Sequence, residues 1–80
     1  MRILLFGRLR DLVGASEIVV CEPMATLSDL RHFLAQEYPE LASAVAESCV
    51  RVAVDQRIVA READIGDASE VAFMPPMSGG

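Results

Sequence analysis

The sequence contains no tryptophan, and aromatic residues make up only 5% of it. Aliphatic side chains must therefore build any core. It has a single histidine, His32, with no set of Cys, Asp or Glu to join it. His32 reads as a surface residue rather than a ligand or a base. Of two cysteines, Cys21 and Cys49, neither belongs to a C-x-x-C pair. Both are expected as buried, reduced thiols rather than metal or redox groups. Basic residues number 7 against 12 acidic ones, the net charge is −5, and no basic run occurs. That balance argues against a nucleic-acid partner and favours docking on a basic protein surface. No apolar run could span a membrane, and Met1 to Arg8 is too short for a signal peptide. The expected location is cytoplasmic. There is no internal repeat, linker or low-complexity segment.

What is present is a high hydrophobic content, 52% of 80 residues. One domain with a modest core fits that length. The same content excludes disorder and suggests apolar surface left over for a partner.

Ile3-Leu4-Leu5-Phe6 is apolar at every position, which predicts a central strand covered on both faces. Gly7 marks a bulge or a close backbone approach. Arg8 to Val13 reads as a strand end and a short helical turn, closed by Gly14. Glu17 to Cys21 is a second, β-branched strand that completes a hairpin with the first. Thr26-Leu27-Ser28-Asp29 is a capping-box pattern, and Leu27, Leu30, Leu34 and Tyr38 follow at helical spacing with Phe33 beside them. Pro39 stops that helix. Leu41 to Ser48 is read as a short helix or an irregular crossing. Val50 to Val54 alternates as a third strand, Asp55-Gln56 turns, and Arg57 to Ala60 is a short edge strand. Arg61 to Ser69 is a loop, and Glu70 to Met74 is the last strand, ended by Pro75. The expected class is α+β, with one main helix covering a mixed sheet. The first and last strands are the most apolar, so they are expected side by side at its centre. That is the β-grasp arrangement, with a folded domain over 1–74 and a flexible tail over 75–80.

The tail, Pro75-Pro76-Met77-Ser78-Gly79-Gly80, carries the functional reading. Two prolines stiffen its root, and two glycines strip its tip of side chains so that it fits a narrow slot. With Gly80 read as the last residue, the group presented is its α-carboxylate, ionised at neutral pH. A carboxylate on a bare, extended arm suits activation by another enzyme. A partner can adenylate it and then replace the adenylate with a sulfur or nitrogen nucleophile.

Five stretches resemble one family: Phe6-Gly7-Arg8-Leu9-Arg10-Asp11-Leu12-Val13-Gly14, Thr26 to Arg31, Tyr38-Pro39-Glu40-Leu41, Val52-Ala53-Val54, and Glu70 through Pro75-Pro76-Met77-Ser78-Gly79-Gly80. The chain is similar along nearly its whole length to the small, sulfur-carrying subunit of molybdopterin synthase, a ubiquitin-like β-grasp family. Two departures stand out. Val54-Asp55 replaces the family's Val-Asn, and Ala68-Ser69 replaces its Gly-Asp, which puts the geometry of both turns in question.

The resemblance implies a sulfur carrier that is not catalytic alone and binds no cofactor. An activating adenylyltransferase, similar to those that serve ubiquitin, would use ATP to adenylate Gly80. A sulfur donor system would then form the thiocarboxylate. The large synthase subunit, assembled with this chain as a heterotetramer, would receive the tail and direct its sulfur to a precursor pterin. Gly79 would provide clearance beside Gly80. Phe6, Phe73, Met74 and Met77 are expected on the docking face with Pro75, Pro76 and Ser78, while Arg8 and Arg10 are expected to touch the activating enzyme. Three other readings remain open. One is a carrier for thiamin or transfer-RNA thiolation, with the same chemistry at Gly80. Another is a protein modifier, although ubiquitin-type tails carry an arginine where Met77-Ser78 stands. The plainest is an interaction module with an idle tail.

Overall fold

Alternation along the strands decides what the sheet buries. In β1 (Arg2–Leu5), Ile3 and Leu5 are fully buried, Leu4 is half-buried and Arg2 is exposed. In β5 (Glu70–Met74), Val71 and Phe73 are fully buried. The computed structural model, which describes residues 1–46, 50–60 and 62–75, joins these with β2 (Glu17–Val19), β3 (Arg51–Val54) and β4 (Arg57–Val59) in one sheet. Its order is β2-β1-β5-β3-β4. β1 and β5 run parallel at the centre, with Ile3 beside Val71 and Leu5 beside Phe73, and the other neighbours are antiparallel. The central placing of the first and last strands is thus as expected.

The expectation that β1 is covered on both faces is corrected. One layer of helix covers one face only. Leu4, half-buried, lies in register on the other with Ala72 and Ala53, which are small and buried in the row, and Ile58 extends it at 58% exposure.

The covering layer follows from the leucine spacing. Helix α2 (Leu27–Glu37) buries Leu27, Leu30 and Leu34 completely, and these join Ile3, Leu5, Ile18, Val52, Val71 and Phe73 in one core. Burying each such leucine contributes roughly 1.5–3 kcal/mol. The amide of Asp29 donates to the Thr26 hydroxyl at 3.2 Å, so Thr26 caps the helix as the sequence predicts. At the other end Tyr38 adopts φ −132° and ψ 79°, a non-helical geometry imposed by Pro39 behind it. A 3-10 turn (Pro39–Leu41) and helix α3 (Ala42–Ala46) follow. They bury Leu41, Ala44 and Val45 against the same core. His32 is exposed, 3.2 Å from the Gln36 amide, as expected of a surface residue.

Cys21 is the second correction. It is an exposed free thiol. Val20, just before it, is buried, and chain alternation turns the next side chain outward. Cys49 lies outside the described residues.

The two departures from the family pattern meet in space. β3 and β4 are joined by the two-residue turn Asp55-Gln56, with φ of 48° and 72°. Positive φ at both central positions is the type I′ hairpin geometry, and aspartate is among the residues that tolerate it. The Asp55 carboxylate oxygen Oδ1 accepts hydrogen bonds from the amides of Ser69 and Glu70, both at 3.0 Å. The Asp55 amide donates to the Glu70 carbonyl at 2.9 Å. This clamp fixes the start of β5. Ala68 and Ser69 do not have positive φ, so no glycine is needed there. Asp55→Ala loses the acceptor and a side chain suited to the turn. It is expected to lower unfolding stability by about 1–2 kcal/mol. Asp55→Asn keeps both and should stay within about 0.5 kcal/mol of the parent. Urea melts that place the two variants together would show that the clamp contributes nothing.

Candidate functional site

β5 is held on both sides, by β1 and by β3, and so delivers its end to a fixed place. That end is Met74-Pro75. Because β1 is parallel, its own end, Phe6-Gly7, lies alongside. Phe6 is 45% exposed and Met74 is half-buried. Antiparallel β3 sets Arg51 opposite Met74. The strand end thus carries two apolar side chains and an exposed arginine around the root of the tail.

Helix α1 (Arg8–Val13) packs here through Leu9, which is buried. Gly14 ends it at φ 81° and donates to the Arg10 carbonyl at 2.8 Å. Arg8 and Arg10 are both exposed on α1. Two positions apart on a helix, they point to different sides and do not form one patch. Arg10 lies 3.8 Å from Asp11, with both side chains well exposed, a contact worth little in water. Sequence reasoning missed Arg51, because only strand register brings it beside Met74. It also missed the row Leu4, Ala72, Ala53 and Ile58. The alternation of β1 would have pointed to Leu4 as outward, had the run Ile3 to Phe6 been read as one-sided.

Phe73 is corrected. It is completely buried on the helix side of the sheet, so it belongs to the core and offers no docking surface. Strand parity gives the reason: Phe73 follows Val71 on the same face, and Met74 takes the opposite one. Of the other candidates, Phe6, Arg8, Arg10, Met74 and Pro75 stand at one end of the molecule. Pro76, Met77, Ser78, Gly79 and Gly80 lie outside the described residues.

A shallow cleft of about 230 Å³ lies at the far end of β5, lined by Arg2, Asp55, Gln56, Ser69 and Glu70. Its charged groups are engaged, Asp55 in the clamp and Arg2 with Glu70 in an ion pair at 2.8 Å. Among the described residues, no three His, Cys, Asp or Glu side chains are grouped to hold a metal ion. None of the described helices is long and apolar enough to cross a membrane.

A five-stranded mixed sheet under one helix, with its central strand leading to Pro-Pro-Met-Ser-Gly-Gly, finds its match in sequence. A sequence model of the ThiS family matches residues 3–80. The chain belongs to the ThiS family. This ThiS-family chain is 32% identical over 80 residues to the molybdopterin synthase sulfur carrier subunit of Escherichia coli K12. It is 31% identical to that of Haemophilus influenzae, and each match covers all of this chain and 99% of the relative. Among solved structures, the small archaeal modifier protein 1 of Haloferax volcanii has a TM-score of 0.73 at 28% identity, over 99% of this chain and 97% of that one. The small archaeal modifier protein 1 of Methanosarcina acetivorans has a TM-score of 0.81 at 20% identity, over 99% and 94%, a likeness of fold. The ThiS-family chain therefore has the ubiquitin-like β-grasp fold that its strand order describes.

Proposed function

We propose that this chain is a sulfur carrier in molybdenum cofactor synthesis, acting through the Gly80 carboxylate. The observation that carries the reading is the mounting of the tail. The most firmly held strand of the sheet ends at Met74-Pro75, with an apolar and basic surround, and Pro76-Met77-Ser78-Gly79-Gly80 follows. The full-length relatives named as molybdopterin synthase sulfur carrier subunits support the same reading.

The chemistry divides between this chain and its partners. A carboxylate is a poor electrophile, so an adenylyltransferase joins Gly80 to AMP from ATP and releases pyrophosphate. Sulfide released by a sulfur donor system then attacks the acyl carbon and expels AMP, leaving a thiocarboxylate. In the large synthase subunit the sulfur attacks a precursor pterin carbon and displaces an oxygen group from it, and water then cleaves the acyl–sulfur bond to restore the carboxylate. The body of this chain supplies docking and aim, while orientation and charge stabilisation at the reacting carbon belong to the partners. The open sheet face with Leu4 and Ile58, continued by Met74 and Phe6, is the surface offered to both.

A second reading, a protein modifier, is favoured by one observation: the likeness to small archaeal modifier proteins. Intact mass spectrometry of the protein isolated from cells separates the two. The carrier reading expects a fraction heavier by the exchange of one oxygen for sulfur, which returns to the parent mass after incubation with the large synthase subunit. Lysine conjugates without any thiocarboxylate would replace it with the modifier reading.

A further inference from the structure

We propose that Gly7 is a positioning residue: it seats the ring of Pro75 and so sets the direction in which the tail leaves the body. The inference rests on the carrier reading for its consequence, but the seat itself is a matter of geometry. β1 and β5 run parallel and in register up to Leu5 beside Phe73. Two steps further along each chain stand Gly7 and Pro75. Proline cannot donate to a ladder, so the pairing stops there. Ring-to-backbone contact takes over. A Cβ built on Gly7 would lie 2.9 Å from Pro75 Cγ and 3.8 Å from its Cδ. The proline ring thus crowds the place where any other residue would carry its Cβ.

The backbone at Gly7 makes the same demand independently. Its φ of 57° and ψ of −130° fall where residues with a Cβ are strained. That turn redirects the chain from β1 into α1, and the Gly7 carbonyl accepts from the Asp11 amide at 3.2 Å. The seat is therefore fixed from below by the first turn of α1 and from the side by the end of β1. Pro75 is pressed on this support at the root of the tail.

Direction at this point has leverage at the tip. From Pro76 to Gly80 an extended chain covers about 16 Å. A tilt of about 10° at the root moves such a tip by about 3 Å, and a misplacement of about 1 Å at a reacting centre can cost on the order of a hundredfold. Proline at the first two tail positions fixes two φ angles and transmits the heading. Gly7 need touch no partner to matter.

The test compares the wild type with Gly7→Ala and the double variant Gly7→Ala/Pro75→Ala. Nuclear Overhauser contacts between Gly7 α-protons and Pro75 ring protons read the seat in the free protein. Pyrophosphate exchange by the activating enzyme reads its consequence. The wild type should show the contacts. Gly7→Ala should drop kcat for adenylation at least about tenfold while KM, governed by the sheet face, stays within about twofold. The double variant keeps the strained alanine but has no ring to be pushed aside, and Pro76 still stiffens the root, so it should recover part, though not all, of the lost kcat. A wild-type kcat in Gly7→Ala overturns the proposal. So does a double variant as slow as Gly7→Ala, because strain at residue 7 would then be the cause. Absence of the contacts in the wild type also overturns it. A wild type that shows the contacts but is never adenylated sinks the carrier reading alone, and the seat then stands on its own protons.

Discussion

A chain ending at Gly79 is expected to fold, to dock on its partners, and to form no adenylate. One extra alanine after Gly80 should do the same. The reason is reach. Six residues run from Pro75 to Gly80, and an extended chain advances at most about 3.3–3.6 Å per residue, which gives roughly 20 Å. That is about the distance from a docking surface to the floor of a buried active site. Loss of Gly80 withdraws the carboxylate by one residue, so it no longer meets ATP or the pterin in line. An added alanine moves the carboxylate beyond the reacting place and puts a methyl in the slot. Gly79→Ala places a Cβ where the walls close on the chain, and it should slow both steps by about a hundredfold. All three changes fall at least six positions beyond Phe73 in the chain, and among the described residues the fully buried side chains run from Ile3 to Phe73. Thermal melts should therefore overlay the wild type. Thiocarboxylate formation and pterin sulfuration at the wild-type rate by the chain ending at Gly79 would end the carrier reading.

Much of the frame was legible because it depends on local pattern. The α2 stripe of Leu27, Leu30 and Leu34, its Thr26 cap and its stop before Pro39 are all set by neighbours within one or two turns. The central pairing of β1 and β5 followed from their apolar content. What escaped was the side of the sheet on which a residue falls. Ile3, Leu4, Leu5 and Phe6 are chemically alike, yet two are buried, one is half-buried and one is exposed. Composition carries no parity; only the pairing does. Cys21 escaped for the same reason. The Asp55 clamp escaped because it joins residues 14 and 15 positions apart, through a side chain that local pattern assigns to a turn. In the site, the tail is read from its prolines and glycines alone, and past Pro75 it lies outside the described residues. Gly7 was legible as a bulge or a close approach, but its partner Pro75 and the placing of Arg51 were not, since each depends on a strand that lies far off in sequence.

The consecutive residues Phe73 and Met74 should respond to substitution in opposite ways. Phe73 is completely buried among Leu5, Val52 and the α2 leucines. Phe73→Ala leaves a cavity that the surrounding strands cannot close, because two of them are hydrogen-bonded on either side. The expected cost is about 3–5 kcal/mol. An 80-residue domain has about 4–12 kcal/mol in total, so this one change removes a large share. The melting temperature should fall by at least about 15 °C, and activity should fail with the fold. Met74 lies on the open face, half-buried, opposite Arg51. A glutamate there can turn to solvent and finds a positive neighbour across the strand pair, so Met74→Glu should cost about 1 kcal/mol or less. Its effect should appear in docking instead. Buried in the middle of an apolar contact, that charge pair costs more in desolvation than its attraction returns, and affinity for the activating enzyme and for the large subunit should drop at least about tenfold. The two variants thus separate core from surface by one step along a strand. A Phe73→Ala chain that melts like the wild type but no longer binds would place Phe73 in the docking face after all. A Met74→Glu chain that binds both partners with unchanged affinity would remove the open sheet face from the mechanism.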